Sequence, residues 1–190
     1  MTMRTEAQIA RDAWIAIRCK LGEPDGFRAL VDTMERPLLY YITKLTGDPD
    51  GAVDVLQQVW IQVFEGFSRL REPAALRTWL YRIARGIALN RIRAETTRRR
   101  IERQAADISE MGDEEEPRFD QTDVAALHAG LDRLGEQHRE VLVLHFLEEL
   151  SIAEIAEVVR VPTGTVKSRI HHAKRELRRW LERQGHESNR

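Results

Sequence analysis

Hydrophobic residues recur at steps of three and four along almost the whole chain, the spacing of one face of an α-helix. The plainest case is Leu150 to Leu181. Ile152, Ile155, Ala156 and Val159 share one side of a first helix. Ser151 precedes it and Glu154 comes three residues later, the pair that satisfies two backbone N–H groups at a helix start. Pro162 has no N–H to donate and interrupts the pattern, with Thr163 placed to cap a second helix. Val166, Ile170, Ala173, Leu177, Trp180 and Leu181 then form that helix's stripe. Successive residues turn by about 100°, so Lys167, Ser168, His171, His172, Arg175, Arg178 and Arg179 point the other way.

The rest of the chain predicts more helices. Residues 6 to 20 carry Ile9, Ala10, Trp14, Ile15 and Ile17, enough for a short one, and Gly22 to Gly26 is a break. From Phe27 the positions Leu30, Val31, Met34, Leu38, Tyr41, Ile42 and Leu45 keep a helical period, with Pro37 expected to kink the helix or shift its start. Gly47 to Asp50 ends it. Val53, Leu56, Trp60, Val63 and Phe67 then line a helix whose opposite face carries Asp54, Gln57, Gln58, Gln62 and Glu65. After a loop at Ser68 to Ala75, Leu76, Leu80, Ile83 and Ile87 face inward on a helix running past Arg93. Its other positions hold Arg77, Trp79, Tyr81, Arg82, Arg85, Asn90, Arg91 and Arg93. Further on, Val124, Leu127, Leu131 and Leu134 form a helix closed by Gly135, and Val141 to Leu147 forms another. No strand pattern occurs. The fold class expected is all-α: a helical bundle at residues 25–100 and a four-helix domain at 123–184. Residues 1–24 are an N-terminal extension and 101–122 a linker.

Charge sharpens that division. The 190 residues carry a net charge of −1, but the signs are segregated. Pro73 to Arg103 holds nine arginines against two glutamates, and Arg160 to the end nine basic residues against three acids. Between them, Gln104 to Asp123 holds eight acids against one arginine, the composition of an acidic flexible linker. Two basic blocks imply two nucleic-acid-facing surfaces. No apolar run approaches the roughly 20 residues that span a bilayer, so no membrane insertion is expected. The N-terminus lacks the basic start and apolar core of a secretory signal, which places the chain in the cytoplasm. Cys19 is the only cysteine, excluding an internal disulfide and a cysteine-clustered zinc site. There is no glycine-rich phosphate loop and no nucleophile–base spacing, so no cofactor and no catalysis are expected. His171 and His172 are adjacent and diverge on a helix, so no metal site is expected either.

A short helix pair whose second member offers donors outward is the shape a major groove accepts. The stretch RTWLYRIARGIALNRIR, residues 77 to 93, interleaves aromatics with arginines. It fits unpaired bases stacked on rings with phosphates held by guanidinium groups. Equally, Trp79 and Tyr81 fit as core and rim residues of a bundle. A free-standing helix-turn-helix regulator would use the C-terminal pair alone, leaving this helix and the glutamine-rich face unexplained.

Four segments carry a resemblance to a known family: DVLQQVW (Asp54 to Trp60), TWLYRIAR (Thr78 to Arg85), LSIAEIAE (Leu150 to Glu157) and GTVKSRIHHAK (Gly164 to Lys174). In this order, flanking an acidic linker, they resemble the small bacterial RNA polymerase sigma factors of the extracytoplasmic-function type, group 4 of the sigma-70 family. The resemblance covers Phe27 to Leu181 and implies a region 2-like bundle and a region 4-like helix-turn-helix domain. It implies core RNA polymerase and promoter DNA as partners, double-stranded at −35 and single-stranded at −10, and an anti-sigma factor as a further one. Asp54, Gln57 and Gln58 would face the clamp helices of the polymerase's largest subunit. Trp79, with the Ser68–Ala75 loop, would lie where the −10 element is melted, and Arg82, Arg85, Asn90, Arg91 and Arg93 would hold that strand. Lys167, Ser168, His171 and His172 would read −35 bases while Arg169, Lys174 and Arg175 contact phosphates. Three positions depart from the family's habit: Gln58 for glutamate, Gly86 for asparagine and His172 for arginine. A neutral imidazole is shorter than arginine and lacks its bidentate fork for guanine, so the resemblance implies an unusual −35 preference.

Overall fold

A computed structural model describes residues 4–105 and 123–187, and among these every regular element is helical. Helix α1 spans Glu6–Lys20, α2 Pro24–Thr46, α3 Pro49–Gly66 and α4 Leu76–Ala105. The second group is α5 Asp123–Asp132, α6 Glu136–Leu142, α7 Ile152–Val159 and α8 Thr163–Glu187. Helix α4 runs past the start of the expected linker; residues 106–122 of that linker lie outside the described residues.

The punctuation is local chemistry. The Thr5 hydroxyl accepts from the Gln8 N–H while the Gln8 side chain takes the Thr5 N–H, and this capping box starts α1. Gly47, at φ 69°, closes α2 in the left-handed conformation that costs glycine nothing. One residue later the Asp48 carboxylate accepts from the Gly51 N–H, and Pro49 opens α3 at a position where no N–H is needed. Gly135 opens α6 rather than closing α5, and its carbonyl takes the N–H groups of His138 and Arg139. Pro37 sits inside α2, which continues through it.

The break between α1 and α2 is narrower than the glycines suggest, because Gly26 belongs to α2. A methyl group there would lie 2.8 Å from the Arg18 Cβ and 2.9 Å from the Cys19 backbone nitrogen. The glycine thus lets α1 approach α2, and Ile15, Ala16 and Cys19 are buried in the same core as Leu30, Met34, Leu38, Tyr41 and Ile42. Gly130 performs the same service between α5 and α8, where a Cβ would stand 2.9 Å from the Trp180 ring.

Two sides are reassigned by the structure. On α3 the inward stripe is Ala52, Val55, Leu56, Val59 and Val63, and Val53 is 47% exposed. On α4 it is Leu76, Leu80, Tyr81, Ala84 and Ala88, so Tyr81 is wholly buried. Spacing leaves Tyr81 off the inward stripe and open between stacking on bases and a place in the core, because it counts one partner surface; the structure gives it the core. The helix has two: α2 and α3 on one side and α7 on another.

Candidate nucleic-acid interface

The C-terminal pair forms as its residues dictate. The Ser151 hydroxyl accepts from the Glu154 N–H at 3.2 Å, and the Ser151 N–H donates to the Glu154 carboxylate at 2.8 Å. Burial pushes the Glu154 carboxyl up, but the Ser151 N–H and hydroxyl and the Arg4 guanidinium outweigh it and hold it below the ordinary carboxylate value. Arg160, at φ 57°, closes α7 in a left-handed turn, and the Pro162 carbonyl accepts from the Val166 N–H to begin α8. Val166, Ile170 and Ala173 are buried on one side of α8. Lys167, Ser168, His171, His172, Lys174 and Arg175 are exposed on the other, and Arg169 is half-buried at the edge.

Two neighbours of that exposed face come from elsewhere in the domain. The Lys174 ammonium lies 4.9 Å from the centre of the Phe146 ring, within range of a cation–π attraction. The His172 ring stacks on His138 of α6 at 6.4 Å, and His138 Nδ1 stands 3.1 Å from a Glu176 carboxylate oxygen. Nothing local in the sequence marks His138 or Phe146; only the four-residue spacing of His172 and Glu176 hints at a shared face. Among the described residues no cluster of His, Cys, Asp and Glu is arranged to hold a metal.

The expected −10 residues are divided. Arg82, Asn90 and Arg93 are exposed along α4. Arg91 is engaged within the first domain, 3.4 Å from Asp48, 3.5 Å from Asp54 and 2.8 Å from Glu95. Its guanidinium and the Asp48 carboxylate lie over Gly51, so a side chain there would have to push both of them aside. Arg85 donates to Glu140 of α6 at 2.8 Å and 3.4 Å. Trp79 is half-buried and meets Phe67 edge-on at 5.4 Å, ending an aromatic row of Phe64, Phe27 and Phe67. One part of its ring is therefore core and the rest remains open beside the Ser68–Ala75 loop, which Leu70 pins to the core.

Asp54, Gln57 and Gln58 are exposed together on α3. Val53, Ile61 and Phe64 share that side, at 47%, 58% and 49% exposure, and make it an amphipathic patch. The assignment of Val53 to the core hid this patch in the sequence. Gly86 lies on the solvent side of α4 with open space where a Cβ would be. Glycine is the costlier residue in a helix interior, so Gly86→Ala raises stability by about 0.5–1 kcal/mol in urea unfolding.

Comparison with known proteins agrees with this geometry. Sequence models of "Sigma-70 region 2" and "Sigma-70, region 4" match residues 30–98 and 125–177. The RNA polymerase sigma-H factor of Pseudomonas aeruginosa is 30% identical over 183 residues, covering 90% of this chain and 94% of that protein. The ECF RNA polymerase sigma factor SigW of Bacillus subtilis is 27% identical over 172 residues, 85% of this chain and 92% of its own. In fold, the chain resembles the sigma factor RpoE of Bartonella quintana, solved in complex with the anti-sigma factor NepR. That likeness has a TM-score of 0.63 at 22% identity and covers 82% of this chain and 96% of RpoE.

Proposed function

The chain belongs to the sigma-70 family of RNA polymerase sigma factors, as one of extracytoplasmic-function type, and from that premise we propose how its residues divide the work. As a sigma factor it acts with core RNA polymerase in promoter-specific initiation of transcription. In our reading α8 docks in the major groove at −35. Lys167, Ser168, His171 and His172 meet base edges, and Arg169, Lys174 and Arg175 meet phosphates. The exposed side of α4, with Arg82, Asn90 and Arg93, follows the −10 strand, and Arg85 and Arg91 join it once their carboxylates release them. The open part of Trp79 borders the loop where a base leaves the stack. Asp54, Gln57 and Gln58, with Val53, Ile61 and Phe64 between them, form the polymerase-binding face.

The domains in this reading are a region 2-like unit at 25–100, against which α1 packs, and a region 4-like unit at 123–184. The factor performs no catalysis of its own and works in the cytoplasm, where polymerase and promoter meet. Among the described residues no helix is long and apolar enough to cross a membrane. An anti-sigma protein is part of the same reading, on the likeness to RpoE.

The observation that carries the assignment is the division of α8 into a buried Val166–Ile170–Ala173 stripe and an exposed donor face behind a capped α7. Run-off transcription with purified core polymerase on a promoter library tests it. Lys167→Ala and His171→Ala each change which −35 sequences are used, by about 1–3 kcal/mol. Arg175→Ala instead weakens all promoters evenly and reduces the salt slope by about 1. An even loss from all three would sink the assignment of base readers. Tight, specific promoter binding without polymerase would favour a free-standing regulator.

A further inference from the structure

Among the proposed base readers, His172 has its ring held from outside the α7–α8 pair. His138, in the first turn of α6, lies nearly parallel to it, with ring centres 6.4 Å apart and planes 20° from one another. His171 meets the same ring at 79° and 5.6 Å. His138 is itself fixed. Its backbone N–H donates to the Gly135 carbonyl, and its Nδ1 stands 3.1 Å from a Glu176 carboxylate oxygen. A carboxylate only accepts, so Nδ1 carries the proton of that bond. His172 and Glu176 are four residues apart, one turn along the same side of α8. His138, half-buried between the helices, therefore grips two successive turns of α8: Glu176 by a hydrogen bond and His172 by a ring face.

Resting on the assignment of His172 to −35 bases, we propose that His138 is a positioning residue for that reader, so that part of the promoter specificity resides in α6. Histidine chemistry makes the support matter. Each imidazole nitrogen offers one hydrogen bond, where arginine would offer a bidentate fork. A single bond discriminates between bases only if its direction is defined. An exposed side chain free to turn about χ1 and χ2 lacks that definition and must lose its freedom on binding. Ring pairs at this separation attract one another. Stacking occupies a face of the His172 ring and leaves its edge, where both nitrogens lie, to a base. His138 thus sets the plane of the His172 ring before DNA arrives, and Glu176 sets His138. Because His138 acts through His172 and not on the base, its effect requires His172 to be present.

The test is run-off transcription by the full chain with core polymerase on a library randomised across −35, for His138→Ala, His172→Ala and the double variant. His172→Ala identifies the base pair that His172 reads. His138→Ala lowers discrimination at that same base pair by about fivefold and leaves the other −35 positions as they were. In the His172→Ala background it changes nothing further. His138→Phe, which keeps a ring beside His172, restores most of the discrimination, and its failure to do so counts against stacking as the means. Without polymerase or DNA, nuclear magnetic resonance of His138→Ala shows the His172 ring signals shifted and more mobile, with unchanged circular dichroism. An unchanged −35 preference in His138→Ala overturns the proposal. So does an even loss across all promoters, which marks a merely structural role, and so does a shift that persists without His172. If His172→Ala itself alters no preference, the base-reader assignment fails and the proposal falls with it. That outcome is distinct from a silent His138→Ala beside an active His172→Ala, which sinks the positioning role alone.

Discussion

Raising the pH from about 5 to about 8 weakens the contact between the two units by about 2.5 kcal/mol, and Glu148→Gln removes most of that dependence. Glu148 is 4% exposed, and burial pushes its carboxyl up from the ordinary 4.5 to about 7, against the opposing pull of the Tyr81 hydroxyl and the Arg77 charge. Glu149 beside it adds to the rise, and Arg4 and Arg77 act in turn on Tyr81, its hydrogen-bond partner. With the second unit packed on the first, where the Tyr81 hydroxyl of α4 donates to Glu148, this carboxyl therefore holds its proton more tightly than it would if the units parted and water restored the ordinary value. A group raised in this way stabilises the contact fully below about 4.5, and that contribution drains away as the pH passes through about 7. Glu154 has the opposite sign: its carboxyl is held low first by Ser151 of its own unit and then by Arg4 across the contact, and only the Arg4 part belongs to the contact, to be lost at acid pH. Energy transfer between fluorophores at Arg36→Cys on α2 and Glu157→Cys on α7, both exposed positions, reads the effect across pH. A flat profile in the parent chain, or an equal slope in Glu148→Gln, would show that Glu148 is not the group responsible.

The second large effect comes from Gly26→Val, expected to cost about 3 kcal/mol in urea unfolding. The new Cβ would meet the Arg18 carbonyl carbon and Cys19 nitrogen at 2.9 Å, and these are backbone atoms of α1 that cannot swing aside. Relief requires α1 to lift from α2. That movement also draws Asp12 off Arg77 and Arg4 off Glu154, so the variant loosens the second unit too. Hydrogen exchange should show α1 losing protection before the centre of α2. Uniform loss across both helices would mean global unfolding rather than release of one element.

How far the sequence alone reveals this molecule depends on the range of each interaction. Most of the α7–α8 pair could be read because the Ser151–Glu154 cap spans three residues and the α8 stripe repeats every turn, although Thr163, expected as the cap of α8, is its first residue and the Pro162 carbonyl closes the first turn. The Gly47–Pro49 junction was visible for the same reason. Val53 lies on the opposite side from the one its spacing suggests, and spacing alone leaves Tyr81 undecided between core and surface, because a helix with an exposed apolar patch, or with two partners, breaks the one-face rule. Least visible were Glu140 and Glu148, which look like ordinary polar positions of a helix. Their partners lie 55 to 99 residues away. Of the candidate site, residue types and faces could be read on α8. What spacing could not show was that Arg85 and Arg91 are already held by carboxylates.

Cys19 has a chemical consequence. Its thiol is buried between α1 and the core, and burial pushes its pKa up to about 11. At neutral pH about one molecule in ten thousand carries the reactive thiolate, so maleimides and peroxide alike find almost nothing to attack. Sulfur introduced at the surface will react first, and the native chain behaves toward such reagents as though it contained no cysteine.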